Sequence, residues 1–355
     1  MKSYKIAVIP GDGIGGEVIA EGEKVLRALA PKFGLHFEFT EFPWGSQYYF
    51  QNERMMPPDA LDILKPFEAI YFGAVGVPEI EDHITLHGLI LALRRGFDLY
   101  VCQRPSCLYQ GVTSPLVGKK AGDIDLVVIR ENTEGEYADV GGAVYARKEE
   151  EVVVQTAVFT RHGTERIIRY AFELAQKRNK KRKVTSITKS NAQRHSMSFW
   201  DRVFKEVALD YPDIETESLL IDAACMDFIR QPESFDVVVA SNLFGDILSE
   251  IGAIVTGTIG LGASANIDPE RRFPSMFEPS HGSAPDIAGQ GIANPLATIL
   301  SAAMMLEHLG EEKAAEKVHQ AVTHVLAQGK VLTPDLKGEA TTSEVGDAVV
   351  QHLTE

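Results

Sequence analysis

Short apolar runs alternate with amphipathic segments along much of this chain. Strand-like runs occupy residues 5–10 (KIAVIP), 36–42 (HFEFTEF) and 68–76 (EAIYFGAVG). Each is followed by apolar positions at helical spacing, in residues 17–33, 59–67 and 89–97. An alternation of strand and helix favours an α/β fold with parallel strands.

The middle of the chain is richer in β-branched residues. IDLVVIREN (124–132) is a predicted strand, and GGAVYARKEE (141–150) with VVVQTAVFT (152–160) reads as a hairpin. Further helices are predicted at 164–179, 196–211, 243–255, 295–309 and 312–328, with strands KVTSIT (183–188) and FDVVVAS (235–241). No linker is visible, so we expect two interleaved domains. The first comprises residues 1–99 plus 260–355, with both termini, and the second residues 100–259.

Composition narrows the class of protein. The 355 residues carry a formal charge of −15 and show no basic stripe, which excludes nucleic acid and an anionic membrane surface as expected partners. No apolar run approaches the roughly 18 residues of a membrane span, and no secretory signal is visible. Three cysteines without CxxC spacing suit a reducing compartment. We therefore expect a cytoplasmic protein.

A glycine-rich turn, PGDGIGGE (10–17), lies between the first strand and the first helix. Gly11, Gly13 and Gly16 satisfy the GxGxxG pattern of a Rossmann pyrophosphate loop. However, Pro10 precedes the first glycine, and the acidic residue expected about 20 positions later has only loose candidates in strand two. An ordinary tight strand-to-helix turn is the stronger interpretation.

Three carboxylates suggest a metal site. Asp246 and Glu250, in SNLFGDILSE (241–250), are four residues apart and therefore share a helix face, while Asp222 heads the probable helix IDAACMDFIR (221–230). Such oxygen ligands suit Mg²⁺ or Mn²⁺. Spacing alone favours the alternative, in which Asp222 caps its helix and the other two lie on a solvated face.

Other polar groups stand where strands or helices end. Arg94, Arg104 and Arg130 are suited to bidentate recognition of carboxylates, although each taken singly fits a surface ion pair equally well. Tyr137 and Lys189 follow predicted strands, where open α/β sheets bind ligands. Residues 278–295 (EPSHGSAPDIAGQGIANP) form an irregular loop long enough to favour a functional role.

Taken together and in order, these motifs resemble those of the β-decarboxylating dehydrogenases, the family of isopropylmalate, isocitrate, homoisocitrate and tartrate/D-malate dehydrogenases. PGDGIG, QRP, IRENTEGEY, ITKSNA, NLFGDILS, HGSAPDIAG and GIANP carry the resemblance over nearly the whole chain. FPWGSQYYF, RMMPPDAL, PFEAIYFGAVG and EDHITLHGL are most similar to the tartrate/D-malate branch. The resemblance implies an isopropylmalate-dehydrogenase-like α/β fold, in which two domains share a large mixed sheet, and not a Rossmann fold.

The resemblance also implies site residues and cofactors. NAD would lie along the loop after residue 280, with Asp286 binding the adenosine ribose and selecting NAD. The cofactor-binding residues would be His281, Gly282, Ser283, Ala284, Pro285, Asp286, Ile287 and Asn294. Mn²⁺ or Mg²⁺ would be held by Asp246 and Glu250 with Asp222 of a second subunit, and K⁺ is a further candidate cofactor. The protein would thus be a homodimer with shared active sites.

For the substrate, the resemblance implies that Arg94, Arg104 and Arg130 hold carboxylate groups. Lys189 of the second subunit would be the general base, and Tyr137 would protonate the product carbon. Substrate choice would lie with His87, Ile90 and Leu91. Isocitrate enzymes have Ser and Asn where this chain has Gly88 and Ile90, which disfavours isocitrate.

Two departures from the family pattern concern the site. His87 stands where isopropylmalate enzymes carry Glu and the tartrate/D-malate branch carries Trp, and Glu250 stands where the family has Asp. We expect NAD-dependent oxidative decarboxylation of a small dicarboxylic 2-hydroxy acid, D-malate, to pyruvate and CO₂, with tartrate as a second substrate. The alternatives are 3-isopropylmalate dehydrogenase, of leucine biosynthesis, and a non-catalytic regulatory paralogue.

Overall fold

The computed structural model describes residues 2–354 of the chain. The strands are β1 (Lys2–Gly11), β2 (Leu35–Glu41), β3 (Ala69–Ala74), β4 (Val101–Cys107), β5 (Asp125–Glu131), β6 (Gly141–Val144), β7 (Val152–Gln155), β8 (Lys183–Thr188), β9 (Glu215–Leu220), β10 (Val237–Ala240), β11 (Ala263–Ile267) and β12 (Ser275–Pro279). The helices are α1 (Gly15–Phe33), α2 (Ser46–Asn52), α3 (Ala60–Leu64), α4 (Asp82–Thr85), α5 (Leu91–Gly96), α6 (Arg161–Arg178), α7 (Ser196–Ala208), α8 (Ile221–Arg230), α9 (Asn242–Val255), α10 (Leu296–His308), α11 (Glu312–Gln328) and α12 (Thr342–Thr354).

Ten strands form one mixed sheet in the order β2-β1-β3-β12-β11-β4-β5-β10-β8-β9. Strand β11 runs antiparallel to both β12 and β4, and β4 runs antiparallel to β5. The remaining pairings of this sheet are parallel, as the strand-helix alternation favours. The α/β fold with a large mixed sheet is confirmed.

Both faces of the central part of the sheet are covered, which explains why strands such as β1, β3 and β10 are rich in buried apolar residues. In β1, Ile6 and Val8 belong to one buried cluster, and Ala7 and Ile9 belong to another. Successive side chains of a strand point to opposite faces, so both faces of this strand bury apolar surface.

The strand order shows how the chain crosses the sheet. Residues 2–99 and 260–354 supply one half, β2-β1-β3-β12-β11, and residues 100–259 supply the other half, β4-β5-β10-β8-β9. The expected division into two domains at these boundaries stays a prediction. Strands β6 and β7 form a separate antiparallel hairpin, as the sequence predicts.

Several elements differ from expectation. The helix expected over 89–97 is α5 preceded by a single π-helical turn, Leu86–Ile90, and the strand expected over 152–160 is only β7. The periodicity did not single out α2, β4, β11, β12 or α12. Within residues 2–354, no helix combines the length and apolar character needed to cross a bilayer.

Candidate active site

A cavity of about 210 Å³ lies where β3, β5 and β12 end. It is lined by Phe72, Gly73, Ala74, Val75, Leu86, Ile90, Leu91, Arg94, Arg104, Arg130, Tyr137, Asp246, Glu278, Pro279, Ser280, His281 and Gly282. The lining residues come from both halves of the sheet. The cavity therefore joins parts of the chain that are far apart in sequence.

The three candidate arginines converge on this cavity. Arg94, Arg104 and Arg130 are only 5%, 7% and 1% exposed, and they come from α5, β4 and β5. Arg94 Nη2 donates to Glu278 Oε1 at 2.7 Å, whereas its buried Nε has no hydrogen-bond partner within residues 2–354. Buried guanidiniums require anions, because an unpaired buried charge is costly.

Asp246 and Glu250 lie on one face of α9, as their spacing predicts. Arg104 Nη1 donates to Asp246 Oδ1 at 3.3 Å and to Glu250 Oε1 at 3.1 Å, and Arg130 Nη1 also donates to Asp246 Oδ1. Burial alone would raise the pKa of Asp246, but Arg130 and Arg104 outweigh it and hold that pKa below its usual range. Burial raises the pKa of Glu250, which Arg104 only partly offsets.

Tyr137 is bound to the same carboxylate. Its hydroxyl donates to Asp246 Oδ2 at 2.7 Å, and burial together with the charge of Asp246 raises the pKa of Tyr137. The phenol therefore keeps its proton at neutral pH. The backbone carbonyl of Tyr137 accepts a hydrogen bond from Arg95 Nη2, which ties the tyrosine loop to α5.

Lys189 and Asp222 form a pair of their own. Lys189 Nζ donates to Asp222 Oδ1 at 2.8 Å, and neither residue lines the cavity. Across residues 2–354, no group of three or more His, Cys, Asp or Glu side chains is placed to hold a metal ion. A single chain thus brings Asp246 and Glu250 together but leaves Asp222 outside their cluster.

The segment before Arg94 forms the apolar wall of the cavity. Ile90 and Leu91 line it, whereas His87 does not and instead places Nδ1 3.8 Å from Asp139 Oδ2. Ile90 ends the π-helical turn Leu86–Ile90 and Leu91 begins α5, and π-helical turns often occur at functional sites. A Cβ at Gly88 would lie 2.7 Å from Met55 Cγ, so a serine there would meet buried Met55.

The candidate cofactor loop, residues 281–294, starts at the cavity, and its later residues do not line the cavity. His281 and Gly282 line the cavity, and the buried Nε2 of His281 has no hydrogen-bond partner within residues 2–354. Further along, Pro285 and Asp286 are exposed, whereas Ser283 and Asn294 are buried and Ala284 and Ile287 are half-buried. The exposed carboxylate of Asp286 therefore lies four residues beyond Gly282, the last residue of the loop that lines the cavity.

Four residues that hold the site together were not singled out as site residues from sequence. Glu278 lines the cavity and binds Arg94 and Asn266, while Asn242 and Ser249 accept hydrogen bonds from Arg130 and Arg104. Glu278 is the first residue of the segment 278–295 that the sequence singled out, and its place in that segment was a usable signal. Nothing in the local sequence marks the others, because their partners are distant along the chain.

Residues 5–349 match the family described as isocitrate/isopropylmalate dehydrogenase. The chain belongs to this family. It is 53% identical over 356 residues to the D-malate dehydrogenase (decarboxylating) of Escherichia coli, with 98% of each chain covered. It is 51% identical over 355 residues to a probable tartrate dehydrogenase/decarboxylase of Bacillus subtilis, with 99% of each covered. The crystal structure of isocitrate dehydrogenase from Methylococcus capsulatus superposes with a TM-score of 0.90 at 36% identity, covering 99% of this chain and 100% of that one.

Membership of the isocitrate/isopropylmalate dehydrogenase family confirms the resemblance stated from the motifs, and the superposition confirms the fold. The fold also shows how the PGDGIGGE turn uses its amides. Ile14 N donates to Ser283 O at 2.9 Å and Gly15 N donates to Asp12 O at 3.0 Å. These two amides already have backbone partners, so they are not available to a pyrophosphate.

Proposed function

We propose that this chain catalyses the NAD-dependent and divalent-metal-dependent oxidative decarboxylation of D-malate to pyruvate and CO₂, with tartrate as a second substrate. The observation that carries the proposal is the convergence of three buried arginines on one small cavity, beside the Tyr137 hydroxyl. Arg94 Nε is a buried donor without a partner within residues 2–354, which a substrate carboxylate would satisfy. The D-malate and tartrate relatives support this choice of substrate class.

The residues present fit a divalent cation. Asp246 and Glu250 offer carboxylate oxygens, the ligand type that Mg²⁺ and Mn²⁺ prefer, and the lowered pKa of Asp246 keeps it ionised. Asp246 and Glu250, with Asp222 of a second copy of this chain, would hold the ion. When bound, such an ion supplies electrostatic stabilisation of negative charge at the substrate's 2-oxygen.

The loop fits a nicotinamide dinucleotide. The unpartnered Nε2 of His281 lies at the cavity end, and the exposed carboxylate of Asp286 can accept hydrogen bonds from ribose hydroxyls while repelling a 2′-phosphate. We therefore propose NAD and not NADP. When bound, NAD accepts the hydride removed from the 2-carbon of the substrate.

The protein's own groups then have distinct tasks. Arg94, Arg104 and Arg130 bind the carboxylates and orient the dicarboxylate. Lys189 of the second copy, as the neutral amine, takes the proton of the 2-hydroxyl as the carbon is oxidised. The bond between the 3-carbon and its carboxylate breaks, CO₂ leaves, and the electron pair forms an enolate. Tyr137 donates its proton to the 3-carbon, giving pyruvate.

We propose a homodimer because Lys189 and Asp222 lie outside the cavity of their own chain. Exposed apolar side chains on α8 and α9, Met226, Ile229, Ile247 and Ile254, provide surface for a second copy. The hairpin β6–β7 adds exposed Val144, Val152, Val153 and Val154. Pairing through these surfaces would bury them and bring a second Lys189–Asp222 pair to each cavity.

Shared sites can be tested by complementation. Lys189→Ala and Asp246→Asn should each be inactive alone, but a mixture refolded together should regain up to about a quarter of wild-type activity. Half of the dimers would be hybrids, each with one intact site. No recovery, despite hybrid dimers detected by mass spectrometry, would place both residues in the same chain's site.

Substrate choice is tested by kcat/KM for D-malate, the tartrates, 3-isopropylmalate and isocitrate, with Mn²⁺ and NAD, followed by NADH absorbance. D-malate should be preferred. The second candidate is 3-isopropylmalate dehydrogenase, favoured by the apolar wall formed by Ile90 and Leu91. A preference for isopropylmalate by orders of magnitude would overturn the D-malate proposal.

A further inference from the structure

The PGDGIGGE turn lies directly against the loop 281–294. Besides the hydrogen bond from Ile14 N to Ser283 O, Gly13 packs so closely that a Cβ there would lie 2.0 Å from Ser283 O. Gly13 also has φ +56°, a conformation that favours glycine. Both constraints explain a glycine at this position without any phosphate.

Glu17, the last residue of the motif, binds the far side of the same loop. Its Oε1 accepts from Gly289 N at 2.6 Å and its Oε2 accepts from Gly291 N at 3.1 Å. Both glycines have positive φ, 77° and 66°, so the carboxylate spans a tight backbone turn. Hydrogen bonds to an ionised acceptor are about twice as strong as neutral ones.

Apolar contacts lie between these two polar attachments. Ile14 and Val18 of the turn and α1 form a small buried cluster with Ala293, against which Ala284 and Ile287 pack. The loop has no strand or helix of its own between β12 and α10. Its backbone conformation therefore depends on α1 at three places: Ser283, the apolar cluster, and the turn at 289–291.

We infer that the PGDGIGGE turn is a docking platform for the cofactor loop, and that Glu17 is a positioning residue that sets the affinity for the dinucleotide. The inference rests on the proposed role of residues 281–294 in binding NAD. A loop held in its binding conformation loses less conformational entropy when the ligand arrives, so anchoring raises affinity.

The test compares Glu17→Gln with Glu23→Gln. Glu23 is on the same helix, is half-buried, and pairs with the exposed Arg27 as its one ion-pair partner among the described residues, so Glu23→Gln is a matched loss of one glutamate charge. Glutamine at 17 keeps the size of the side chain but has one neutral acceptor oxygen, and its Nε2 amide nitrogen cannot accept the second hydrogen bond. We measure NADH dissociation constants by fluorescence, hydrogen exchange of the ligand-free protein at residues 282–292, and steady-state kinetics.

For Glu17→Gln we expect faster exchange confined to the loop and a Kd for NADH raised about tenfold, which corresponds to about 1.4 kcal/mol. KM for NAD should rise likewise, with kcat and KM for the acid nearly unchanged. Glu23→Gln should resemble wild type in all of these. Glu17→Asp, which retains the charge, should recover part of the affinity.

Two results overturn the inference. If hydrogen exchange at residues 282–292 and the affinity for NADH are both unchanged in Glu17→Gln, Glu17 does not position the loop. The proposed function is not affected by that result, because it is tested by NAD binding to the wild type. If the loop loosens but NADH affinity is unchanged, the loop does not carry the cofactor, and the proposed cofactor site fails with it. Unfolding of Glu17→Gln would appear as faster exchange throughout the chain, in which case Glu17→Asp decides between these results.

Discussion

Replacing Asp246 with asparagine tests the centre of the site. The carboxylate accepts hydrogen bonds from Arg104, Arg130 and Tyr137, and Arg130 is almost fully buried. Asparagine would remove the negative charge between two guanidiniums and leave Arg130 with Asn242 as its remaining side-chain acceptor.

The magnitude follows from these contacts. Removing one partner of a fully buried ion pair costs about 3–5 kcal/mol. Asp246 keeps about a third of its side chain exposed (32%) and Arg130 keeps Asn242, so we expect a loss of about 2 kcal/mol in the free energy of unfolding. Loss of a preorganised charge at the reacting centre lowers turnover by at least about a hundredfold.

Two assays separate the loss of stability from the loss of turnover. Denaturant unfolding measures the stability, and NADH formation from D-malate with Mn²⁺, at a temperature well below the unfolding midpoint, measures the turnover. The control is Glu250→Asp. The Glu250 side chain is more exposed (39%), and Arg104 is its one hydrogen-bond partner in the part of the chain that the structure describes, so activity should stay within about threefold of wild type. A folded Asp246→Asn enzyme that turns over D-malate normally would refute the assignment of Asp246 to the catalytic centre.

Three further predictions concern other parts of the molecule. Arg95→Ala removes the donor to the Tyr137 carbonyl, so kcat should fall about tenfold with KM for the acid little changed, and an unchanged kcat would contradict this. Asp286→Asn should lower the ratio of kcat/KM for NAD over NADP by about tenfold, and an unaltered ratio would show that another group selects the cofactor. Burial, assisted by Arg271, lowers the pKa of His308 from 6.5 to about 4. The unfolded chain then binds the proton first, so stability should fall as pH drops from about 6.5 to about 4, and His308→Gln should reduce that slope in denaturant titrations; equal slopes would contradict it.

The sequence predicted local features well. The hairpin β6–β7, the helix carrying Asp246 and Glu250, and the glycine-rich loop after β12 all appear where the pattern placed them. These features depend on periodicity over a few residues. In contrast, β4 is not recognised as a strand from the sequence, because it contains Pro105 and proline is rare in central strands. Pro105 is accommodated here since the pairing with β11 ends at Gln103.

Spacing alone favoured a solvated face for Asp246 and Glu250. The structure shows instead that both contact Arg104, which no local pattern reveals. The roles of metal, general base and second subunit stay predictions, because they depend on the family resemblance and on groups outside one chain.

The sequence by itself determined the α/β class, the family and the order of the functional motifs, because these are properties of local patterns and of their succession along the chain. Only the tertiary structure decided which charges meet. Arg94 binds Glu278, 184 residues away, and Glu17 binds Gly289, 272 residues away. Such contacts arise from the packing of strands in an order that differs from their order in the chain, and periodicity carries no information about that packing.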